Sequence, residues 1–543
     1  MSAVLDIAGY TLDYSTPRGD FRALEDVSLS VGRGEVVGLV GESGSGKTSL
    51  AGAVMRHLAP NAIERAGTLR LSGEDLCALA KRELTAIRGA RLGLVFQDPS
   101  TSFNPTLTLG RQITEALEQH RGLSPLAARG EAEAMFARVG LRDPRAMMRR
   151  YPPEASGGEK QRVVIATAFV CRPECIVFDE STTALNVVTA RQILDLFAEL
   201  QRETGVASLY ISHDLAIVSG LAQRVAVLQR GRIVEQGATR DVFAAPQHAY
   251  TRTLLEAVPR PEERLTTTRP VDGPPLVQAD KVTVRYGRAS LFGGLLGRGA
   301  TGVVGAAEVS LTMQPGEILG VVGESGSGKS TMARALTGLA AFEGRLIFEG
   351  RPISGAADMG RDYRQRVQIV FQHPDSSLNP RQRVQEILSR PLRLYGIQGG
   401  KLPDAVHRLL EALRLPADYS ERYPHQLSGG EKQRVAIARA FAPRPRLVIC
   451  DEVTSSLDVS VQAAVVRLLI DLQRETGAAY LFISHDINLV RQIAHRIVVM
   501  HGGRLVETIT AEELALRGPA HPYTAELMAA VPRLNTGAKQ HVA

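Results

Sequence analysis

Short apolar runs alternate along the chain with amphipathic segments, which is the pattern of an α/β protein. GEVVGLVG (34–41) and CIVFDE (175–180) carry mainly apolar residues and predict buried strands. TARQILDLFAELQRETG (189–205) repeats its apolar residues at 3.6-residue spacing and predicts a helix. The stretch between Gln97 and Ser156 is largely helical in pattern, with ITEALEQH and AARGEAEAMFARVG as its clearest parts. We therefore expect an α/β core with a helical subdomain inserted into it.

The whole pattern occurs twice. GLVGESGSGKTSL (38–50) returns as GVVGESGSGKSTM (320–332). Three further features recur 272 residues later: the segment SGGEKQRV, the segment ISHD, and an apolar run that ends in Asp-Glu. The chain is therefore a tandem duplication, with domains predicted at 1–259 and 276–543. A stretch rich in Pro and Thr at 260–275 lacks apolar periodicity and predicts a linker. The second copy also carries a Gly-rich insertion near 290–302.

Composition excludes several classes of protein. The 543 residues are 44% hydrophobic and 22% charged, and no apolar stretch approaches the length of a membrane-spanning helix. The first basic residue is Arg18, so we expect no secretory signal, and four cysteines suggest a cytoplasmic protein without a disulfide framework. The net charge of +7 is spread over the chain and does not indicate a nucleic-acid partner.

Two segments match the phosphate-loop (P-loop) pattern GxxxxGK[ST], and each follows a strand pattern and precedes a helical one. The glycines let backbone N–H groups close around phosphate oxygens, the lysine reaches the outer phosphates, and the hydroxyl binds Mg²⁺. A single match could be a Gly-rich turn, but two in register favour nucleotide binding. The predicted phosphate-binding residues are Gly41, Glu42, Ser43, Gly44, Ser45, Gly46, Lys47, Thr48, Gly323, Glu324, Ser325, Gly326, Ser327, Gly328, Lys329 and Ser330.

Two carboxylates end an apolar run in each copy, Asp179-Glu180 and Asp451-Glu452. The aspartate is expected to hold Mg²⁺ through water, and the glutamate to orient or deprotonate the attacking water. A single acidic pair of this kind would more often be only the start of a surface loop. Its pairing with a P-loop in both copies favours catalysis.

Glutamine and histidine complete each predicted site. Gln97 and Gln372 follow strand patterns, where an amide can contact both the metal and the attacking water. His213 and His485 each fall 34 residues after the aspartate. A histidine at a strand end is usually only packed or solvated, but the equal spacing favours a role at the γ-phosphate.

A Ser-Gly-Gly-Glu segment followed by Lys-Gln-Arg resembles the signature sequence of ATP-binding cassette ATPases. It is formed by Ser156, Gly157 and Gly158 and by Ser428, Gly429 and Gly430. The resemblance implies tandem P-loop NTPase domains, each a RecA-like α/β core with an antiparallel β subdomain and a helical signature subdomain. It also implies that each signature caps ATP bound by the other half, so that two ATPs are sandwiched. An upstream aromatic residue typically stacks on adenine, for which Tyr14 and Tyr286 are the candidates.

Further segments resemble the peptide/nickel importer branch of this family. They are FQDPSTSFNP and FQHPDSSLNP, then HAYTRTLLEAVP (248–259) and HPYTAELMAAVP (521–532). The latter two belong to C-terminal segments at about 233–259 and 505–535, and Ala249 replaces the usual proline in the first. The C-terminus has no cysteine, so no iron–sulfur cluster is expected.

The resemblance implies an ATPase that uses ATP and Mg²⁺ to energise a membrane importer for peptides or a related small solute. It would lie peripherally on the cytoplasmic face of the inner membrane. Its partners would be two integral-membrane permease subunits, docked on the surface between Gln97 and Ser156 and its counterpart, and an extracytoplasmic solute-binding protein.

The sequence also has two alternative interpretations. A duplicated cassette ATPase acting on ribosomes or nucleic acid usually carries a long basic helical arm, which the short linker does not provide. A non-catalytic scaffold would be favoured by loss of the water-orienting glutamate, yet Glu180 and Glu452 are both present. Nothing in the sequence indicates the solute.

The two copies differ at two positions that act in trans in the family. The second copy has Leu427 before its signature and Asp458 after its carboxylates, whereas the first has Ala155 and Asn186. Both departures fall on the composite site that contains Lys329. We expect that site to turn over more slowly, or, if both residues are tolerated, the two sites to work alike.

Overall fold

A computed structural model describes residues 3–17, 19–96, 98–99, 101–180, 186–266, 271–287, 303–397, 401–455 and 457–535. Gln97 and the predicted insertion at 290–302 lie outside these residues. The chain divides into two compact units. Unit 1 comprises the described residues of Met1–Val258, Asp458–Ser460 and Pro532–Ala543, and unit 2 those of Pro259–Leu457 and Val461–Val531.

The first repeat begins with an antiparallel sheet whose order among the described residues is β2-β1-β4-β5. Its strands are β1 (Ala3–Thr16), β2 (Gly19–Gly32), β4 (Ala62–Leu71) and β5 (Glu74–Asp75). In β1, Leu5, Ile7, Tyr10 and Leu12 are buried in one core. The alternation changes phase between Ile7 and Tyr10, where the pairing with β2 is irregular.

A second sheet forms the centre of the first repeat, in the order β10-β9-β3-β8-β7-β6. Its strands are β3 (Val36–Val40), β6 (Leu92–Val95), β7 (Cys175–Asp179), β8 (Ala207–Ser212), β9 (Arg224–Gln229) and β10 (Arg232–Ala238). β10 runs antiparallel to β9, and the other pairings are parallel. Every residue of β3, β7 and β8 is buried, as expected for parallel strands covered on both faces.

Helices cover this sheet and build the inserted subdomain. They are α1 (Lys47–Val54), α2 (Lys81–Ile87), α3 (Leu109–Arg121), α4 (Pro125–Arg138), α5 (Pro144–Met147), α6 (Gly157–Val170), α7 (Val187–Thr204), α8 (Leu215–Leu221), α9 (Thr239–Ala244) and α10 (Ala249–Glu256). α3 to α6 lie between β6 and β7 in the chain, and Ile113, Leu117, Phe136 and Val163 join one core cluster. The predicted helical subdomain is confirmed.

The second repeat builds the same internal arrangement. Its strands are β11 (Val277–Tyr286), β12 (Val303–Met313), β13 (Ile318–Val322), β14 (Glu343–Phe348), β15 (Arg351–Ile353), β16 (Val367–Val370), β17 (Leu447–Asp451), β18 (Ala479–Ile483), β19 (Arg496–His501) and β20 (Arg504–Thr510). Among the described residues the sheet orders are β12-β11-β14-β15 and β16-β17-β18-β13-β19-β20. Both correspond strand for strand to the sheets of the first repeat.

The helices of the second repeat follow a similar order. They are α11 (Lys329–Leu336), α12 (Arg361–Arg366), α13 (Pro374–Ser377), α14 (Val384–Tyr395), α15 (Leu402–Ala412), α16 (Gly429–Phe441), α17 (Val459–Thr476), α18 (Ile487–Ile493), α19 (Ala511–Arg517) and α20 (Pro522–Ala530). The short α13 has no counterpart among the described helices of the first repeat, and a 3-10 helix at Ala417–Glu421 takes the place of α5. Among the described residues, no helix combines the length and apolar character needed to span a bilayer.

The described part of the predicted linker is bonded to α18 within unit 2. The N–H of Leu265 donates to the carbonyl of Gln492 (2.9 Å), and the buried hydroxyl of Thr266 donates to the carbonyl of Ile493 (2.6 Å). The side-chain amide of Gln492 donates to the carbonyl of Arg260 (2.7 Å). Its composition predicts only an unstructured connection, whereas residues 260–266 make specific tertiary contacts.

Candidate functional site

The first P-loop joins β3 to α1 through backbone conformations that favour glycine. Gly41 has φ 156° and Gly46, at the N-cap of α1, has φ 109°. A Cβ atom on Gly41 would lie 2.2 Å from the carbonyl oxygen of Leu228, and one on Gly46 would lie 2.7 Å from that of Ala23. The loop therefore needs these glycines, and it leads into a helix N-terminus, where free N–H groups favour anions.

The lysine of each P-loop is buried against its own loop. Nζ of Lys47 donates to the carbonyls of Gly41 (2.7 Å) and Glu42 (2.9 Å), and Nζ of Lys329 donates to the corresponding carbonyls of the second loop at 2.8 and 2.7 Å. Burial lowers the pKa of both lysines, and Glu180, whose Oε1 lies 3.9 Å from Nζ of Lys47, opposes that shift. Each lysine ammonium is hydrogen-bonded to carbonyl oxygens, and phosphate oxygens could replace these as its acceptors.

Each P-loop also carries a buried serine hydroxyl. The Oγ atoms of Ser45 and Ser327 have no hydrogen-bond partner among the described residues. A buried polar group without a partner is costly, so these hydroxyls favour a polar ligand at the loop.

Asp179 and Asp451 end the strands β7 and β17 beside the P-loop helices. The hydroxyl of Ser330 donates to Oδ1 of Asp451 (2.8 Å), whereas the buried Oδ1 of Asp179 has no hydrogen-bond partner among the described residues. Burial, reinforced by the charge of Glu180, raises the pKa of Asp179 to about 6, against a hydrogen bond from Thr48. An orphaned carboxylate oxygen beside a hydroxyl is an oxygen donor set that fits a divalent cation.

Glu180 and Glu452 adopt left-handed backbone conformations, with φ of 47° and 51°. Their N–H groups donate to the carbonyls of Ile211 and Ile483, both at 3.0 Å, which holds the strained backbone in place. Strain of this kind costs about 1–3 kcal/mol and is concentrated at functional sites. Its presence in both repeats supports a role for the two glutamates.

Each glutamate contacts a histidine. Nδ1 of His213 lies 3.2 Å from Oε1 of Glu180, and Nδ1 of His485 lies 3.7 Å from Oε2 of Glu452. Burial acts to raise the pKa of Glu180, but the hydrogen bond and charge of His213 outweigh it and lower that pKa. The hydrogen bond from His485 likewise lowers the pKa of Glu452. Both glutamates are therefore held as carboxylates.

The structure brings Gln372 to the second of these pairs. Its side-chain amide donates to Oε2 of Glu452 and to Oγ of Ser455, both at 3.1 Å. Gln97, the corresponding residue of the first repeat, lies outside the described residues.

Each predicted signature opens a helix. The Oγ of Ser156 accepts a hydrogen bond from the N–H of Glu159 (3.3 Å), and a Glu159 carboxylate oxygen accepts from the N–H of Ser156 (2.9 Å). Ser428 and Glu431 form the same capping box, at 3.4 and 2.7 Å. The serines and the following residues, Gly157 and Gly429, are exposed at these helix starts.

Close packing explains the last glycine of each signature. A Cβ atom on Gly158 would lie 2.8 Å from Cγ2 of Thr189, and one on Gly430 would lie 2.5 Å from Cγ1 of Val461. A larger residue would displace the helix start from α7 or α17.

The candidate adenine-stacking tyrosines occupy equivalent places in the two repeats. The hydroxyl of Tyr14 lies 3.4 Å from Oγ of Ser49, and that of Tyr286 lies 3.4 Å from Oγ1 of Thr331. Ser49 and Thr331 lie in the first turns of α1 and α11. Both rings therefore lie beside the helix that follows a P-loop.

Sequence analysis missed two tyrosines that contact the P-loops. The hydroxyl of Tyr250 accepts a hydrogen bond from the N–H of Glu42 (2.9 Å), and that of Tyr523 accepts one from the N–H of Glu324 (3.1 Å). Burial raises the pKa of each tyrosine to about 12, so both hydroxyls stay protonated. Their spacing of two residues after His248 and His521 was the available signal.

Unit 1 also contains a contact between its P-loop and Asp458. The N–H of Ser43 donates to Oδ1 of Asp458 (2.8 Å), and the hydroxyl of Ser460 contacts the Glu42 carboxylate. Asn186, at the corresponding place in the first repeat, accepts from the N–H of Thr189 (2.8 Å) and caps α7.

A glycine-rich loop that holds a buried lysine at a helix N-terminus, followed by an Asp-Glu pair at a strand end, defines a P-loop nucleoside triphosphatase. The family model described as "ABC transporter" matches residues 24–183 and 306–455. The model described as "Oligopeptide/dipeptide transporter, C-terminal region" matches residues 234–282 and 506–543.

Relatives match almost the whole chain. The Glutathione import ATP-binding protein GsiA of Salmonella paratyphi A is 40% identical over 97% of this chain and 89% of its own length. The Peptidoglycan transport ATP-binding protein YejF of Agrobacterium fabrum is 42% identical over 94% of this chain and 92% of its own length. A solved structure, the dimeric ATP-binding cassette MJ0796 bound to ADP and Pi, is 26% identical over 43% of this chain and 98% of its own, with a TM-score of 0.40.

This chain belongs to the ATP-binding cassette transporter family. The predictions of the family, of the duplicated α/β fold and of an ATP-binding, ATP-hydrolysing transport subunit are confirmed. The alternative of a cassette ATPase working on ribosomes or nucleic acid is not favoured.

Proposed function

We propose that this chain hydrolyses ATP at two sites and thereby energises uptake of a peptide, or of a related small solute, through separate permease subunits. The observation that carries the proposal is the duplicated set of lysine, aspartate, glutamate and histidine, which recurs with similar local geometry in both repeats. The names of the relatives mention glutathione and peptidoglycan, which supports a peptide-like solute.

The residues of the first repeat divide the chemistry among them. Backbone N–H groups of residues 41–48 and Lys47 would hold the phosphates, with Tyr14 stacked on adenine. Glu180, a carboxylate with a lowered pKa, would orient the attacking water and accept its proton, while His213 steadies Glu180 and faces the γ-phosphate. Lys329, Tyr286, Glu452 and His485 would do the same in the second repeat.

Mg²⁺ fits the oxygen donors described at Asp179 and Asp451. Thr48, Asp179 and Gln97 would hold it in the first repeat, and Ser330, Asp451 and Gln372 in the second. Bound there, Mg²⁺ would neutralise charge on the phosphates. The orphaned Oδ1 of Asp179 and the bond between Ser330 and Asp451 support these assignments.

The domains proposed for this function are 1–259 and 276–543, with the C-terminal segments at about 233–259 and 505–535. Each signature, Ser156 to Gly158 and Ser428 to Gly430, would cap the γ-phosphate of ATP bound by the other domain. The exposed helix starts at Ser156 and Ser428 support this role, because the N–H groups of a first helical turn favour anions.

We propose a permease docking site in the first repeat. A cavity of about 650 Å³ lies beside α3 and α6, and Phe96, Phe103, Leu107, Val164 and Ala168 line it. Phe96 is 43% exposed and immediately precedes Gln97. An amphipathic cytoplasmic loop of a permease could insert an apolar side chain here and so report its position to the catalytic glutamine.

The complete importer would contain two permease subunits, one copy of this chain on the cytoplasmic face of the inner membrane, and an extracytoplasmic binding protein. Because one chain supplies both ATP-binding domains, one copy should serve both permeases. Light scattering that finds two copies per permease pair would contradict this stoichiometry.

Reconstitution tests the proposed function directly. The chain would be assembled with its two permeases in vesicles that contain ATP, and uptake of a labelled peptide would be measured with binding protein outside. Uptake should require ATP and Mg²⁺ and should be lost in Glu180→Gln with Glu452→Gln, which retains nucleotide. Undiminished uptake by that double variant would refute the proposal, as would an ATPase that responds to ribosomes and not to permeases.

A further inference from the structure

One peptide unit of the first P-loop is hydrogen-bonded at both ends. The amide that links Gly41 to Glu42 donates through its N–H to the hydroxyl of Tyr250 (2.9 Å) and accepts at its carbonyl from Nζ of Lys47 (2.7 Å). Tyr250 is 8% exposed, and its ring belongs to the core around α10. The orientation of this amide plane is therefore fixed by a tyrosine on one side and by the phosphate-binding lysine on the other.

The second P-loop repeats this arrangement with its own residues. The amide between Gly323 and Glu324 donates to the hydroxyl of Tyr523 (3.1 Å) and accepts from Nζ of Lys329 (2.8 Å). Tyr523 is 7% exposed. Two independent copies of one contact in one chain argue against a chance approach.

A local network sets the position of Tyr250. Both oxygens of the Glu235 carboxylate accept backbone hydrogen bonds, from Gln247 (2.8 Å) and His248 (3.1 Å). Nδ1 of His248 in turn accepts from the N–H of Tyr250 (3.2 Å), which caps α10. The histidine thus starts the helix that delivers the tyrosine two residues later.

The same network places Tyr523. Glu507 accepts from the N–H groups of Ala520 (2.8 Å) and His521 (3.2 Å), and Nδ1 of His521 accepts from the N–H of Tyr523 (3.2 Å). Ala249 in the first segment replaces the proline found at position 522 in the second, yet the capping distances agree. The two segments share His-x-Tyr and differ at the intervening residue, which is Ala249 in one and Pro522 in the other.

We propose that Tyr250 and Tyr523 are positioning residues for nucleotide binding, and that delivering their hydroxyls to the P-loops is one function of the two C-terminal segments. Each hydroxyl keeps an amide plane oriented so that its carbonyl holds the lysine at the mouth of the phosphate cradle. Without the hydroxyl, a partly buried N–H loses its partner and only the lysine still holds the amide plane. The P-loop must then become ordered when nucleotide binds, and the free-energy cost of that ordering weakens binding.

This inference rests on the proposed nucleotide sites, and each site can be measured alone. In a Lys329→Ala chain only the first P-loop should bind Mg²⁺–AMP-PNP, and in a Lys47→Ala chain only the second. Titration calorimetry on the full chain would measure the dissociation constant in each background. We expect Tyr250→Phe to weaken binding about fivefold in the first background and to leave it unchanged in the second. Tyr523→Phe should show the reverse pattern.

A matched control separates this role from general loss of stability. The hydroxyl of Tyr10, 1% exposed, donates to the Glu64 carboxylate (2.6 Å) away from the P-loop residues. Tyr10→Phe and Tyr250→Phe each remove a hydroxyl that makes a partly buried hydrogen bond and keep the ring, so both should lower the thermal unfolding midpoint. Tyr10→Phe should keep the parental dissociation constant.

The outcomes are distinguishable. Unchanged affinity in Tyr250→Phe and Tyr523→Phe, or an equal loss in Tyr10→Phe, would overturn the role of the tyrosines and leave the nucleotide sites intact. A loss at both sites from either single substitution would show a global effect and would also overturn it. If neither parental chain binds AMP-PNP, the P-loop assignment fails, and the role of the tyrosines with it.

Discussion

Nδ1 of His213 lies 3.2 Å from Oε1 of Glu180, and each side chain shifts the ionisation of the other. Burial favours the neutral imidazole, but the hydrogen bond and the charge of Glu180 outweigh it, so the pKa of His213 is raised above its usual value of 6.5. Without nucleotide, Glu180, the proposed catalytic glutamate, is thus paired with a histidine that stays protonated to higher pH than a free imidazole.

The pH dependence of stability should reveal this pair. Because the folded-state pKa of His213 exceeds the unfolded value, its stabilising contribution is complete below pH 6.5 and is lost as the pH rises through the folded-state pKa. His213→Gln keeps a hydrogen-bonding amide without the charge. The free energy of unfolding of the wild type, measured by denaturant titration without nucleotide, should exceed that of the variant most below pH 6.5. A difference that grows with pH would contradict the pairing.

The two ATP sites are predicted to work at unequal rates. Ala155 and Leu427 are both buried, but the alanine offers less apolar volume beneath its signature helix. Asp458 brings a carboxylate to the N–H of Ser43, whereas Asn186 is neutral. If the signatures act in trans, as the family resemblance implies, the lost charge and packing should slow hydrolysis of the ATP bound by Lys329, at a cost of about 1–3 kcal/mol of barrier, roughly 5- to 150-fold in rate.

Single substitutions show which of the two ATP sites is the slower one. With permease bound, Glu180→Gln should remove more ATPase activity than Glu452→Gln, and single-turnover hydrolysis should show a slower site containing Lys329. Ala155→Leu with Asn186→Asp should accelerate that site. Equal residual rates, or a larger loss from Glu452→Gln, would mean that both departures are tolerated.

The backbone of the first P-loop predicts a sharp requirement at Gly41. With φ 156° and a carbonyl oxygen 2.2 Å from any added Cβ, Gly41→Ala must displace β9 or the loop, at a cost of about 3 kcal/mol or more. Thermal unfolding and AMP-PNP binding should both be impaired. Gly130→Ala, in α4 with nothing described within 4 Å of its Cβ, should be neutral or stabilising by up to about 1 kcal/mol. Equal stability of the two variants would contradict this prediction.

Residues close together in sequence were the predictable part of the site. Strand, turn and helix N-terminus are consecutive in the chain, so a short sequence pattern identifies the P-loop glycines, Lys47 and Thr48. The Asp179-Glu180 pair is recognised in the same way at the end of an apolar run, and the second repeat carries the same patterns. Tyr14 and Tyr286 are candidates from the family resemblance, and both lie beside a P-loop helix; their stacking on adenine stays a prediction.

Contacts between distant segments were not predictable. Glu42 and Tyr250 are 208 residues apart, and Ser43 and Asp458 are 415 apart, so only the fold brings them together. The bonds of residues 260–266 to α18 were not predictable because four of these seven residues are charged and the segment has no apolar periodicity. The left-handed backbone of Glu180 was not predictable either, because the carbonyl that its N–H contacts belongs to Ile211 on the neighbouring strand β8.

Counting bound nucleotides tests most directly the central claim that one chain carries two ATP sites. Titration calorimetry of the full chain with Mg²⁺–AMP-PNP should give two nucleotides for the wild type and one each for Lys47→Ala and Lys329→Ala. The double variant should bind none, since each lysine belongs to a separate phosphate cradle. Wild-type affinity in the double variant, or a single nucleotide in the wild type, would contradict the assignment.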